Sequence, residues 1–313
     1  KIFFKTFAPW WELYLTVFSV IFLIWQNYAL NSLIAIKKVF QAQVFLNLSN
    51  LLKTIFIFVL IFTKTANIAM ILFVFGIFGP AVFFFFLFWQ KRNVVYKIVK
   101  APIRGEEFKF SYTLTYFLAS QFFNLGTRMD LFLLSFYFPK TAVLGYYGLS
   151  TKIILTLFAA VSSVTQVLSP DFSKIKKYSD LKTLFKKSLL FLSIPTLLFF
   201  LLFLTPKEIF QIAFTEKFTK TVQITHLLSL AYLIYPILNI PLLFFLYTEK
   251  KPKFILIANT VFFITISLSC FYLIPKLNFY AGPLSVFLAL FLSGVYLFYK
   301  FIKIIKNDRG IIA

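Results

Sequence analysis

Four polar side chains fall inside one apolar run, "SQFFNLGTRMDLFLLSFYF" at 120–138: Gln121, Asn124, Arg128 and Asp130. An arginine beside two amides can hold an oxyanion such as a phosphate or carboxylate, because a guanidinium presents a planar fork of donors. At about 100° per residue, Gln121, Asn124, Arg128 and Ser135 fall within an arc of about 60°. Asp130 lies about 160° from Arg128 on the same helix, so the two charges need different partners. The next run, "TAVLGYYGLSTKIILTLFAAVSSVTQVLSP" at 141–170, carries a second stripe. Gly145, Gly148, Lys152, Thr156, Ala159, Ser163 and Gln166 all lie within about 40° of Lys152. Measured from the tight turn at Pro139, Asp130 sits about 12 Å deep and Lys152 about 17 Å. That match in depth predicts a structural ion pair between Asp130 and Lys152. Arg128, Lys152, Gln121 and Asn124 are candidate lining residues of a polar cavity. Lys53, beside Asn47, Asn50 and Thr54, is a further candidate, either as a cavity cation or as a lysine snorkelling to the interface.

The elements that carry these residues are those of a membrane. The chain is 60% hydrophobic and 21% aromatic, with forty-seven Phe and only 13% charged residues. Soluble domains hold about a quarter charged residues. Apolar runs of about 20 residues, enough to cross hydrocarbon, recur along the chain. They predict an all-α polytopic protein of about nine spans, at 10–30, 43–62, 67–89, 111–138, 141–168, 184–204, 222–247, 254–274 and 281–301. Pro236 and Pro241 should bend or unwind the seventh.

The net charge of +22 suggests nucleic acid at first sight, but its placement points elsewhere. One set of loops and helix ends (31–42, 90–110, 169–183, 248–253, the tail from 302, and Lys186, Lys187 and Lys300) holds 21 Lys/Arg; the other loops hold 8. Cytoplasmic loops carry the excess of Lys and Arg. The expectation is a multi-pass protein of the cell membrane with a cytoplasmic C-terminus, anionic membrane lipids as partners and no nucleic acid. The N-terminus then falls outside, and the chain reads as lacking earlier spans.

One Cys and one His give no disulfide framework and no metal cluster. Cys270 reads as a buried structural thiol. No phosphate-binding glycine loop, zinc motif or nucleophile–His–acid set is present. A transporter is expected rather than an enzyme, with no cofactor and no metal.

"MDLFLLSFYFPKTAVLGYYGLSTKI" resembles the start of the second half of the Wzx-type polysaccharide flippases, in the multidrug/oligosaccharidyl-lipid/polysaccharide exporter superfamily. The matching residues are Asp130 and the Leu144, Gly145 and Tyr147 of the turn. "VLSPDFSKI" is similar to the family's Pro-containing helix end, and "FTEKFTKTVQITHLLSLAYLIYPI" and "FYLIPKLNFYAGPLSVFLALFLSG" to its later segments. Asn278 stands near the family's usual Gly. The resemblance implies two helical lobes around a central cavity: residues 1–90 as the remainder of the first, 91–110 as a basic cytoplasmic linker, 111–313 as the second. It implies an N-terminally truncated chain and transport of an undecaprenyl-pyrophosphate-linked oligosaccharide by alternating access, as in O-antigen and other polysaccharide biosynthesis, with polysaccharide-assembly proteins as partners. Arg128, Lys152 and Lys53 would attract the pyrophosphate or acidic sugars. The alternatives are another branch of the superfamily, a drug/cation antiporter or a lipid II flippase, and a membrane polymerase or ligase of lipid-linked sugars. A cation antiporter should favour cavity acids, and a polymerase a large outer loop; this chain has cationic candidates and short loops.

Overall fold

A computed structural model describes residues 10–35, 38–65, 67–99, 109–139, 142–175, 178–213 and 219–308. The described residues are helical, joined by short turns and loops. They divide into two compact units, Lys1–Gly105 and Glu106–Ala313.

Unit 1 contains α1 (Trp10–Ala35), α2 (Val39–Phe62), α3 (Ile68–Phe73) and α4 (Gly79–Val99). Asn67 caps α3, its side chain accepting a hydrogen bond from the Met70 N–H at 2.8 Å, which satisfies a donor that the first turn would leave free. A π-helical turn, Val74–Phe78, joins α3 to α4 without interrupting the helix. The core is aliphatic and aromatic, with Leu33, Ala42, Phe45, Phe83 and Leu87 buried together. Phe45 meets Phe83 edge to face at 6.4 Å, the geometry that aromatic quadrupoles favour. The stretch 91–99, expected as linker, is the last part of α4. Nothing in "KRNVVYKIV" breaks a helix, and the first Pro beyond it is Pro102. The remainder of that linker at 100–108 lies outside the described residues, as do Lys176 and Lys177 of the second basic loop.

Unit 2 contains α5 (Phe110–Tyr137), α6 (Ala142–Phe172), α7 (Tyr178–Leu204), the short α8 (Lys207–Ala213), α9 (Thr219–Tyr232), α10 (Tyr235–Leu243), α11 (Lys253–Leu277) and α12 (Ala281–Asp308). Helix α5 lies along α11, while α6 packs on α9 and α7. Although a tight turn joins them, α5 and α6 share little contact. The close fit of α5 on α11 needs Gly126, where a Cβ would come within 2.6 Å of the Phe262 ring. The expected disruption of the seventh span occurs on both sides of its prolines. The chain turns at Leu233–Ile234 before Pro236, and a π-helical turn, Phe244–Thr248, follows Pro241. The freed Leu246 carbonyl accepts from the Tyr112 hydroxyl at 2.8 Å, the compensation that broken helices in membranes require. Asn278, between α11 and α12, adopts φ 53°, a backbone region that glycine enters without strain.

Seven helical segments are long and apolar enough to cross a membrane. The protein is therefore an all-α, multi-pass membrane protein by length and composition. The nine-span expectation differs from this at two places. The last apolar segment, Lys253–Lys306, holds both α11 and α12. Helix α5 has 28 residues, about 42 Å at 1.5 Å per residue, but its polar residues keep it out of the apolar set.

Candidate functional site

The periodicity argument separates Arg128 from Asp130, and the two have opposite environments. Arg128, Gln121 and Asn124 are exposed, and Asp130 is only 2% exposed. The stripe on α6 is likewise uncovered. Gly145, Lys152, Thr156, Ala159 and Ser163 are exposed, and Gly148 and Gln166 are half-buried. A Cβ added at Gly145 or Gly148 would meet nothing within 4 Å. Small-residue stripes often let two helices approach closely. Among the described residues of unit 2, no helix occupies this one.

The structure does not bring Asp130 and Lys152 together, contrary to the expected ion pair. The Asp130 carboxylate accepts from the Tyr147 hydroxyl at 2.5 Å and from the Leu131 N–H at 2.7 Å. Tyr147 precedes Lys152 by five residues, which is about 140° around a helix. The face of α6 that reaches Asp130 is thus not the face that carries Lys152. Depth matched, but azimuth did not. Ion pairs do form elsewhere in unit 2, between Lys187 and Asp171 and between Lys251 and Glu249, both at 2.7 Å.

Tyr147 was not foreseen as the partner. It is fully buried, and its ring is held on the other side by Gly282 of α12. A Cβ at Gly282 would collide with the Tyr147 hydroxyl and come within 2.7 Å of Cζ. Three helices, α5, α6 and α12, therefore meet at one carboxylate, one phenol and one glycine. The sequence signal was the pairing of Gly282 with Pro283 at the head of α12, which marks a turn but not its contact. Cys270 is fully buried, as expected of a structural thiol. The His226 Nε2–H donates to the Thr205 carbonyl at 2.9 Å, and the ring sits between Phe203 and Phe210.

Lys53 belongs to unit 1 and packs within it. It is 9% exposed. Its stem crosses Gly79, where a Cβ would come within 2.9 Å of Cε, and its Nζ lies 5.8 Å from the Phe75 ring centroid. The π-helical turn and Gly79 together make room for it. Beside it, the Ser49 hydroxyl donates to the Gly79 carbonyl at 2.6 Å. Among the described residues Lys53 has no anionic partner.

No family model matches the chain, and no curated protein or solved structure matches it either. Functional inference therefore rests on the residue patterns and on the geometry above. Unit 2 offers an uncovered polar face on each of two neighbouring helices, one bearing Arg128 and the other Lys152. It also offers a buried three-helix junction at Asp130. The first is suited to holding an anion. The second is suited to fixing helix packing.

Proposed function

We propose that the chain is a membrane transporter that flips an undecaprenyl-pyrophosphate-linked oligosaccharide across the cytoplasmic membrane by alternating access. The observation that carries this reading is the uncovered stripe of α6, together with the uncovered Arg128 face of α5. An Arg or Lys at the centre of a bilayer costs about 2.5–3.5 kcal/mol on insertion scales. Two such residues on open, glycine- and hydroxyl-rich faces are supported at that depth by water or by a polar cargo. A pyrophosphate answers both cations, and its sugars suit the Gln121, Asn124, Thr156 and Ser163 side chains. The resemblance to the polysaccharide flippases supports the same cargo class. Lys53 would serve as the cation of unit 1.

The test uses the emptiness of the stripe. Gly148→Leu and Gly145→Leu should leave abundance and detergent-extracted melting temperature near wild type, since a Cβ at either position meets nothing within 4 Å. Export of lipid-linked polymer should fall by about tenfold, the loss that weakening cargo binding by about 1.4 kcal/mol gives. A loss of folded protein that parallels the loss of export would mean that the stripe packs against a helix and does not line a transport path.

The same proposal fixes the orientation. Lys97, in the basic C-terminal end of α4, and Lys176, in the basic stretch 169–183, should both face the cytoplasm, with the C-terminus on that side. Single cysteines at 97 and 176, in a Cys270→Ser background, should resist an impermeant reagent in intact cells and react after permeabilisation. Labelling in intact cells would reverse the orientation.

A further inference from the structure

The hairpin of α11 and α12 brings the two ends of one apolar segment, Lys253–Lys306, to the same side of unit 2. Basic side chains gather there. The stretches 249–253 and 299–308 carry six lysines against two acids, and one of those acids, Glu249, is already engaged by Lys251 at 2.7 Å. Among the described residues, Lys250, Lys253, Lys300, Lys303 and Lys306 form no ion pair.

Two of these ammonium groups share one ring. Lys253 Nζ lies 5.4 Å from the Phe254 ring centroid, and Lys300 Nζ lies 5.8 Å from it. Lys300 Nζ is also 5.8 Å from the ring centroids of Tyr296 and Tyr299. Aromatic faces attract cations, so the rings hold the two ammonium groups close although like charges repel. Lys250, three residues before Lys253, adds another cation. It adopts φ 52°, a left-handed conformation that glycine enters freely and that a side chain makes costly. The turn before α11 therefore carries a lysine where glycine would fit with less strain. Such outliers gather where a side chain serves a ligand, and here the missing counter-charge is an anion.

The surface beside the charges decides the kind of anion. At about 100° per residue, Leu292, Val295, Tyr299, Lys303 and Lys306 share an arc of about 80° on α12. Leu292, Val295 and Tyr299 are exposed, and they lie in a segment apolar enough to cross a membrane. An anion at the basic end of this face meets water on one side and hydrocarbon on the other. Tyrosines such as Tyr296 and Tyr299 are enriched at that boundary. A lipid phosphate occupies the same level.

We propose that Lys250, Lys253 and Lys300 bind the headgroup phosphate of an anionic glycerophospholipid at the shared end of α11 and α12. The general attraction of a basic membrane face for anionic lipid thereby gains a specific seat. The site is separate from the Arg128 and Lys152 faces and holds whatever the cargo is.

Native mass spectrometry of the full chain tests it, with micelles supplemented with phosphatidylglycerol, phosphatidylethanolamine or inorganic phosphate. The readout is the ratio of bound to unbound protein. Phosphatidylglycerol should be retained in preference to the other two. Lys253→Gln with Lys300→Gln should lower its retention by about thirtyfold, since each lysine near an anionic surface contributes about fivefold. Lys250→Gly should lower it by about fivefold. That variant also relieves the positive φ, so it reports on binding even if the double variant is poorly folded. Lys182→Gln with Lys186→Gln, two exposed lysines of α7, removes the same charge from another basic helix end and should leave retention unchanged. Equal loss in that control pair would reduce the effect to net charge and overturn the assignment. Equal retention of phosphatidylethanolamine, preferred retention of inorganic phosphate, or no loss in Lys250→Gly would each overturn it as well.

Discussion

Gly282→Ala is expected to be the most destabilising single-methyl change in unit 2. The added Cβ would collide with the Tyr147 hydroxyl and lie 2.7 Å and 2.9 Å from ring carbons Cζ and Cε2. Tyr147 is fully buried and cannot swing into solvent. Overpacking a closed core costs about 1–3 kcal/mol. Moving the phenol also breaks its hydrogen bond to Asp130, and a bond to a charged group contributes about 1.5–3 kcal/mol. A fall of several degrees in the melting temperature of the detergent-extracted protein should follow. Tyr147→Phe removes the colliding oxygen, so Gly282→Ala combined with Tyr147→Phe should lose less than the sum of the two single changes. Wild-type melting of Gly282→Ala, or strictly additive losses, would mean that the three helices do not meet as described. A second cycle separates the two candidate partners of Asp130. Asp130→Asn should couple to Tyr147→Phe and should be additive with Lys152→Met, because Lys152 points about 140° away around α6.

The other large effect is functional. Arg128→Ala should lower polymer export by about tenfold or more, since a hydrogen bond to a charged group is worth about 1.5–3 kcal/mol. Abundance should hold, because Arg128 is exposed and makes no ion pair among the described residues. Arg128→Lys should rescue only part of the loss, as an ammonium lacks the bidentate fork that grips a phosphate. Lys152→Gln should behave like Arg128→Ala if both faces serve one anionic cargo. The measurement is surface polymer in cells, normalised to immunoblotted protein. Full export by Arg128→Ala would remove the α5 face from the transport path, and a matching fall in abundance would make Arg128 a packing residue.

These two effects divide the molecule between what helical periodicity dictates and what packing dictates. The sequence alone determined that the chain is helical and membrane-spanning, because runs of about 20 apolar residues have no other stable place. It also determined that Arg128 and Asp130 take opposite faces of α5, because two residues advance about 200° around a helix whatever surrounds it. Pro236 and Pro241 likewise announced the disruption of the seventh span, since a residue without an N–H disturbs its own turn. Which face of α6 meets Asp130 was decided only in three dimensions. Depth along a helix follows from counting residues, but rotation about its axis is set by its neighbours. Helix α6 turns its Tyr147 side inward to pack on α9 and α7, and this leaves the Lys152 stripe uncovered. Lys53 was ambiguous for the same reason. A lysine ten residues into a span can reach either way, and its stem lies against Gly79 on another helix, which has no side chain to keep it out.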